Sequence, residues 1–288
     1  MKEMKNSLVL NTIALEPNRW TADKIARFEL EELIPAIARS GFKNVEIWGY
    51  HLMRRTGDEI KGIGQLLKDN SIAAPIVGLY PIMHLEGAAA EAELDDFKRV
   101  CEYATTLGTT MIKIWVGRLG SDAIDAAALK RTHTFYEQAW LHASGLGLQM
   151  SAENHANTLL DTLEGCQSFL DTYAESGLKI CFQPYDFTDT TLTCHEFETL
   201  MPHVAHIHLQ GRRNDAFVLL ENAEIDYHAF LKTALNAHHP LFFSIEFVEG
   251  CVVAKPADFD MDAVLKAARE DRIYVLKTGN AIGLSIDG

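Results

Sequence analysis

The sequence predicts an α/β fold, a closed (β/α)8 TIM barrel that forms a single domain over residues 1–288. Two observations support this prediction. Short apolar runs of strand length alternate strictly with amphipathic helical patterns, and the alternation continues through eight strand-helix units. The chain length of 288 residues, with 48% hydrophobic residues, also suits one large barrel.

The units follow one another from the amino terminus. The first strand is predicted in residues 7–15, and the helix after it has apolar residues at helical spacing from Phe28 to Ile37. The later pairs are FKNVEIWGY with GDEIKGIGQLLKDNS, IAAPIVGLY with EAELDDFKRVCEYATTLG, TMIKIWVG with DAAALKRTHTFYEQAWLHASGLG, LQMSAEN with TLEGCQSFLDTYAESG, LKICFQPYD with CHEFETLMPH, VAHIHLQGR with IDYHAFLKTALNAHHP, and LFFSIEFV with a helix near Asp260. Helical crossovers imply a parallel sheet. A doubly wound open sheet is the competing fold, but residues 15–18 lack the glycine-rich loop that usually follows its first strand.

Composition narrows the classes of partner. The 26 basic and 40 acidic residues give a formal charge of −14, which repels nucleic acid and anionic membranes and suits small neutral or metal-bridged substrates. The five cysteines are scattered without a CxxC pair, as in reduced cytoplasmic proteins. No apolar run has the length of a signal peptide or a membrane span. We therefore predict a cytoplasmic protein that acts on a small molecule.

Metal-capable side chains recur at four consecutive strand ends. Glu153, Gln183, His208 and Glu246 lie at or near the carboxyl ends of predicted strands five to eight. Barrel enzymes carry their chemistry at the carboxyl ends of the strands, so these side chains are expected to lie together. Mixed oxygen and nitrogen ligands favour one divalent ion, Mn²⁺, Mg²⁺, Co²⁺ or Zn²⁺. The alternative is a set of solvated rim residues with no shared role, and the recurrence at four neighbouring strands argues against it.

Further side chains near the strand ends are candidate substrate contacts. They are Glu46, Trp48, Lys113, Trp115, His155, Asp186 and Arg212. Most of them also have a structural alternative: an ion pair for Glu46, core packing for the tryptophans, burial within the strand for Lys113, a structural loop role for His155, and simple solvation for Arg212. His206 lies on the same strand face as His208 but one layer deeper, where support of His208 is expected rather than ligation.

Several motifs make the sequence similar to a known family. VEIW at strand two, ENH at strand five, HIHLQGR at strand seven, EIDYHAFL at the next helix and SIEF at strand eight resemble the xylose isomerase-like TIM barrels. That family contains sugar isomerases and epimerases, inosose dehydratases and the endonuclease IV branch. The resemblance implies one divalent metal bound by Glu153, the strand-six residue, His208 and Glu246. It also implies that Glu153 and Glu246 are catalytic, because the two glutamates of the ketose epimerases exchange the proton at the inverted carbon. Family members are often dimers or tetramers, so a homo-oligomer is one expectation.

Strand six departs from the family pattern. The usual aspartate, followed three residues later by histidine, is replaced by Gln183 and Asp186, and a subgroup of the family has the same Gln-Pro pair at this strand. Loss of one negative ligand is expected to weaken metal affinity and leave the ion a stronger Lewis acid. Asp186 either replaces the missing ligand or stands where the histidine contacts substrate.

These observations predict a divalent-metal-dependent isomerase or epimerase acting on a sugar, keto-sugar or polyol derivative. The expected first step is removal of the proton beside a carbonyl group, with a metal-stabilised enediolate. A lyase or dehydratase acting on a keto-inositol or keto-sugar shares this step and is the first alternative. A non-catalytic sugar-binding barrel is the second, and the charge of −14 argues against the DNA-repair branch.

Overall fold

The computed structural model describes residues 5–288 and shows a closed barrel of parallel strands surrounded by helices. The strands in chain order are β1 (Asn6–Asn11), β2 (Asn44–Trp48), β3 (Ala73–Leu79), β4 (Met111–Trp115), β5 (Gln149–Glu153), β6 (Lys179–Phe182), β7 (Val204–Arg213), β8 (Ala216–Val218), β9 (Phe242–Phe247) and β10 (Ile286–Asp287). Successive strands from β1 to β7 pair in parallel, β7 pairs with β9, and β9 pairs with β1 to close the barrel. The predicted fold class is confirmed.

Helices connect the strands as the alternation predicts. They are α1 (Leu30–Arg39), α2 (Gly57–Asp69), α3 (Gly87–Thr106), α4 (Ala126–Gly145), α5 (Leu163–Thr172), α6 (Thr190–Leu200), α7 (Tyr227–Ala234) and α8 (Met261–Ile282). Polar caps fix several starts: the side chains of Thr56, Asp125 and Asp260 accept backbone N–H groups of α2, α4 and α8. None of the helices in residues 5–288 is long and apolar enough to cross a bilayer.

The barrel strands are buried on both faces, which explains their continuous apolar runs. Leu8, Val9 and Leu10 of β1, for example, are all fully buried although successive side chains point to opposite faces. One face packs against the helices and the other fills the barrel. Buried charged and polar side chains therefore stand out, and several of those on the strands lie toward the carboxyl ends.

A hairpin follows the seventh barrel strand in the connection to α7. Strand β7 continues to Arg213 and pairs antiparallel with β8. The turn between them uses Asn214 and Asp215 with φ angles of 48° and 61°, a left-handed conformation that these residue types tolerate. Gly211 is required in β7 because a Cβ atom there would collide with the backbone of Val218. The hairpin places Arg212 and Phe217 beside the cavity at the carboxyl end of the barrel.

The carboxyl-terminal residues dock on the barrel. Their sequence shows no clear pattern beyond about Lys277, but α8 continues to Ile282 and ends at Gly283, whose φ angle of 84° is favourable for glycine. Strand β10 then pairs in parallel with the start of β1, with Ile286 opposite Asn6. The last residues thus cover the edge of β1 on the side away from the polar strand ends.

Candidate active site

Buried polar side chains converge at the carboxyl ends of the barrel strands. The cluster contains Glu46 of β2, Lys113 of β4, Glu153 at the end of β5, Gln183 directly after β6, His208 of β7 and Glu246 of β9. All six have less than a tenth of their surface exposed. Since charged groups are rarely buried without partners, their mutual contacts decide what this cluster can do.

Glu153, His208 and Glu246 form a group with the composition of a metal site. Their ligand atoms lie within 4.8 Å of one another. His208 Nδ1 is 3.5 Å from Glu153 Oε1 and 3.3 Å from Glu246 Oε2. It is buried and makes no hydrogen bond with the part of the chain that the structure describes. A buried nitrogen facing two carboxylate oxygens fits a divalent cation, so the three residues expected from the sequence are brought together.

The other nitrogen of His208 is held by Glu46. Its Nε2 lies 3.1 Å from Glu46 Oε2, which also accepts a hydrogen bond from Ser244 Oγ at 2.8 Å. An ionised carboxylate can only accept, so Nε2 carries the proton and leaves the lone pair of neutral His208 on Nδ1. The charge of His208, together with that of His206, holds the pKa of Glu46 well below its usual range, although burial alone would raise it. Glu46 thus orients the metal-capable histidine instead of facing a substrate.

Lys113 lies beneath the metal-capable group. Its Nζ is fully buried, 2.6 Å from Glu153 Oε2, 3.0 Å from the Tyr80 hydroxyl and 3.9 Å from Glu46 Oε1. Burial would lower the pKa of Lys113, but Glu153, Tyr80 and Glu46 together hold it well above its usual value. The ammonium group thus turns inward to its counterions, as in the alternative of burial within the strand that the sequence left open for Lys113.

Room for this lysine comes from a glycine on the neighbouring strand. A Cβ atom at Gly78 of β3 would stand 3.0 Å from Lys113 Cε and 3.2 Å from Glu46 Oε1. Both approaches are tighter than ordinary van der Waals contact. The absence of a side chain at position 78 is thus a condition for the buried ion pair.

Gln183 belongs to a chain of amides that the sequence only partly revealed. Its Nε2 donates to Asn154 O at 2.9 Å and to Glu153 Oε1 at 3.2 Å. Its Oε1 accepts from Gln210 Nε2 at 2.9 Å, and Gln210 Nε2 also lies 3.3 Å from Glu246 Oε2. Arg212 in turn donates to Gln210 Oε1. Gln210 was missed by the sequence reasoning, although its two-residue spacing from His208 on β7 places it on the same face.

A cavity of about 180 Å³ opens over this cluster. Of the predicted residues, its lining contains Trp48, Trp115, His155, Arg212 and Glu246. The lining also contains side chains that the sequence reasoning did not single out, among them Arg19, Lys24, Tyr50, Tyr80 and Arg118. The signal for two of them was present, because Tyr80 ends the third predicted strand and Arg118 directly follows the fourth.

Aromatic stacking shapes one wall of the cavity. The rings of Trp115 and His155 stack with centroids 4.0 Å apart, and Trp115 Nε1 donates to Glu153 Oε2 at 2.8 Å. Trp48 is almost fully buried and packs on Tyr50 with centroids 4.8 Å apart. Each tryptophan therefore combines the structural and the cavity-lining roles that the sequence left open.

Asp186 lies outside the cluster. Its side chain is exposed and its Oδ1 accepts hydrogen bonds from Thr188 N at 2.8 Å and Thr188 Oγ1 at 2.7 Å. These hydrogen bonds to Thr188 lower the pKa of Asp186. The structure thus gives this carboxylate a local turn-stabilising contact and no contact with His208 or Glu246.

Comparison with known proteins agrees with this architecture. No curated protein matches the sequence at a significant level. Solved structures with the same fold include a D-psicose 3-epimerase studied in the presence of D-fructose, with 16% identity over 94% of this chain and 99% of that chain and a TM-score of 0.71. A xylose isomerase-like TIM barrel protein from Mycobacterium smegmatis in complex with magnesium shows 14% identity over 98% and 99% of the two chains, with a TM-score of 0.70.

A third similar structure is the probable 3-DHS dehydratase AsbF from Bacillus anthracis, with 18% identity over 91% of this chain and 98% of that chain and a TM-score of 0.68. At these identities the likeness shows a shared fold and does not assign a substrate. The family is shown by the sequence itself, since the family model for xylose isomerase-like TIM barrels matches residues 34–269. This protein therefore belongs to the xylose isomerase-like TIM barrel family.

Proposed function

We propose that this chain is a metal-dependent enzyme that removes the proton beside a carbonyl group of a sugar, keto-sugar or polyol derivative. The observation that carries the proposal is the group of Glu153, His208 and Glu246, whose ligand atoms lie within 4.8 Å of one another. The orientation of His208 by Glu46 supports it, because carboxylate partners commonly fix metal-binding histidines in this way.

Glu153, His208 and Glu246 would hold one divalent ion, and Mn²⁺, Mg²⁺, Co²⁺ or Zn²⁺ suits their mixture of oxygen and nitrogen donors. Gln183 is a fourth candidate, but its amide has to rotate first, because its nitrogen end now points to Glu153. When bound, such an ion supplies a Lewis acid that polarises a carbonyl and stabilises negative charge on its oxygen.

The two glutamates differ in what their oxygens can do. Both oxygens of Glu153 have close polar neighbours: Oε2 accepts from Lys113 and Trp115, and Oε1 accepts from Gln183. Glu246 lines the cavity, and only its Oε2 accepts a hydrogen bond, from Gln210, within the described chain. We therefore assign the general base to Glu246 and a ligand role to Glu153.

A site in which Glu246 is the one available base suits isomerisation and elimination better than epimerisation. Epimerisation by two glutamates needs a second carboxylate that is ready to exchange a proton from the opposite face, and Glu153 Oε2 is occupied by Lys113 and Trp115. Aldose–ketose isomerisation needs only one base that carries the proton between neighbouring carbons. A lyase that expels a β-hydroxyl group is the second candidate, because it also starts with one base and a similar structure is that of a probable dehydratase.

Metal content and proton exchange test the proposal together. Protein purified without chelator should contain about one equivalent of a divalent ion or take it up when Mn²⁺, Co²⁺ or Zn²⁺ is supplied. Ketoses and keto-inositols incubated with it in D2O should gain deuterium next to the carbonyl, as read by NMR. Deuterium on a neighbouring carbon identifies isomerisation, inversion identifies epimerisation, and enone absorbance identifies elimination.

Matched variants connect these readouts to the site. Glu246→Gln should lose metal affinity and proton exchange, whereas Gln183→Asp should bind the ion more tightly because it restores a negative ligand. Asp186→Asn is the control, since its exposed carboxylate lies outside the cluster. A wild-type protein that binds none of the supplied ions would contradict the enzymatic proposal and favour a non-catalytic sugar-binding barrel.

A further inference from the structure

The charged side chains that line the cavity over the cluster are mostly basic, although the chain as a whole is acidic. The whole sequence has 26 basic against 40 acidic residues. The cavity lining instead contains four basic side chains, Arg19, Lys24, Arg118 and Arg212, and one carboxylate, that of Glu246. A concentration of positive charge on a strongly acidic protein attracts anions to that place.

All four of these basic groups donate only to neutral acceptors within residues 5–288, and among them Arg118 and Lys24 keep unused N–H groups. Arg118 donates from Nε and Nη2 to Tyr80 O and from Nη2 to the Tyr50 hydroxyl. Lys24 Nζ donates to Arg19 O at 2.5 Å. Neither forms an ion pair with a carboxylate in residues 5–288, and Arg118 Nη1 has no hydrogen-bond partner there. Each therefore has N–H groups that remain available to a ligand.

Lys24 and Arg118 also lie close enough to affect each other. Burial lowers the pKa of Lys24, and the neighbouring charge of Arg118 lowers it further. Two half-buried cations with no shared counterion repel each other, and this repulsion is relieved when an anion binds between them. Neutral hydroxyl groups of a sugar would not provide that relief.

Trp115 lies between the basic pair and the metal-capable group in the network of contacts. The guanidinium carbon of Arg118 lies 5.9 Å from the centre of the Trp115 ring. The same indole donates from Nε1 to Glu153 Oε2 at 2.8 Å. Since one indole ring lies beside both the cation and the cluster, a short sugar chain can reach both.

We propose that the substrate carries an anionic group, a carboxylate or a phosphate, and that Lys24 and Arg118 bind this group at the mouth of the cavity. This inference rests on the proposed function, because it names the class of substrate for the same site. The reacting end of the molecule lies over Glu246 and the anionic end lies beside Arg118.

Binding of three ketoses to the manganese-loaded protein tests the inference by calorimetry. The probes are D-fructose, which is neutral, 5-keto-D-gluconate, which carries a carboxylate, and D-fructose 6-phosphate. At least one anionic probe should bind about tenfold more tightly than D-fructose, because charge-assisted hydrogen bonds to arginine and lysine are stronger than neutral ones. The anion with the higher affinity identifies the group that the site accepts, and added salt should reduce the preference.

Substitutions of the two basic residues test whether they cause the preference for an anionic ketose. Arg118→Gln and Lys24→Gln should each reduce the affinity for the anionic ketose more than the affinity for D-fructose. Lys24→Gln provides a second test if Arg118→Gln does not fold, because Lys24 makes one hydrogen bond and Arg118 makes three. Arg213→Gln removes the same charge from an exposed residue outside the cavity and should have no effect.

The outcomes separate this inference from the proposed function. Equal binding of neutral and anionic ketoses, or a preference that survives both variants, would overturn the anion site even if neutral ketoses exchange protons. Anion binding that depends on Lys24 and Arg118 supports the site even if no proton exchange is found, in which case only the proposed reaction fails.

Discussion

Replacement of Glu46 by glutamine tests how His208, the proposed metal ligand, is oriented. Glu46 Oε2 lies 3.1 Å from both His208 Nε2 and His206 Nε2 and accepts a hydrogen bond from Ser244 at 2.8 Å. The side chain is fully buried and does not line the cavity, so Glu46→Gln removes a charge without removing a substrate contact. We expect this variant to bind divalent metal more weakly.

The magnitude follows from the hydrogen bond that changes. A bond to a charged acceptor contributes roughly 1.5–3 kcal/mol and one to a neutral acceptor roughly 0.5–1.5 kcal/mol, so the loss is about 1–1.5 kcal/mol. This corresponds to about a tenfold increase in the Kd for the metal. The value agrees with the effect of about 10–100-fold for partners of metal-binding histidines. Glu46 also favours a proton on His208, and this proton competes with the metal. The loss of metal affinity in Glu46→Gln should therefore be largest at high pH, where His208 is already deprotonated.

Competition with a chromophoric chelator for Co²⁺ measures this Kd, and circular dichroism shows that the variant is folded. Ser244→Ala is the matched control, because it removes a neighbour of Glu46 but keeps the charge, and it should bind the metal like the wild type. The reasoning is refuted if folded Glu46→Gln binds Co²⁺ as tightly as the wild type at high pH, or if Ser244→Ala loses as much affinity.

Three further predictions concern protons and packing. Burial lowers the pKa of His208, but the negative groups around its ring raise it well above the usual value, so metal uptake at neutral pH should release protons. Because Tris takes up protons with more heat than PIPES, metal binding should be more exothermic in Tris. Equal heats in the two buffers would contradict this prediction. Burial raises the pKa of Asp271 to about 7, so the free energy of unfolding falls as pH rises from about 4 to about 7, where the folded protein has to keep this carboxyl group protonated or bury its charge. Asp271→Asn should remove this fall of up to about 4 kcal/mol, as measured by urea unfolding at the two pH values. Gly78→Ala should destabilise the fold by about 1–3 kcal/mol through its contacts with Lys113, whereas Gly62→Ala, at an open position of α2, should not.

The alternation of patterns was enough to predict the barrel and the group at its centre. Consecutive parallel strands are neighbours in a barrel, so side chains at the ends of the fifth to eighth strands share one part of the rim. Glu153, His208 and Glu246 come together for this reason, and their residue types already indicate a cation site. Glu46 and Lys113 lie on other strands of the same barrel, and their neighbours could not be predicted in this way.

The remaining contacts depend on side-chain packing across the barrel. The inward turn of Lys113 requires the space left by Gly78, which no local pattern announces. Asp186 is only three residues from Gln183, but two hydrogen bonds to Thr188 fix it in a local turn at the surface. Proximity in sequence was therefore a poor guide at the end of β6, where the chain leaves the sheet and its direction is set by turn chemistry.

The glutamine of strand six and the basic groups of the cavity fit one electrostatic scheme. Glu46, Glu153 and Glu246 contribute three negative charges, and Lys113, the charge of His206 and a divalent ion would offset them. An aspartate in place of Gln183 would add a negative charge next to the cavity, which would bind the metal more tightly but weaken the attraction for an anionic substrate. Glutamine avoids this added charge, so the charges of Lys24 and Arg118 remain available for the substrate. The departure from the family pattern at Gln183 therefore favours the proposed anion site.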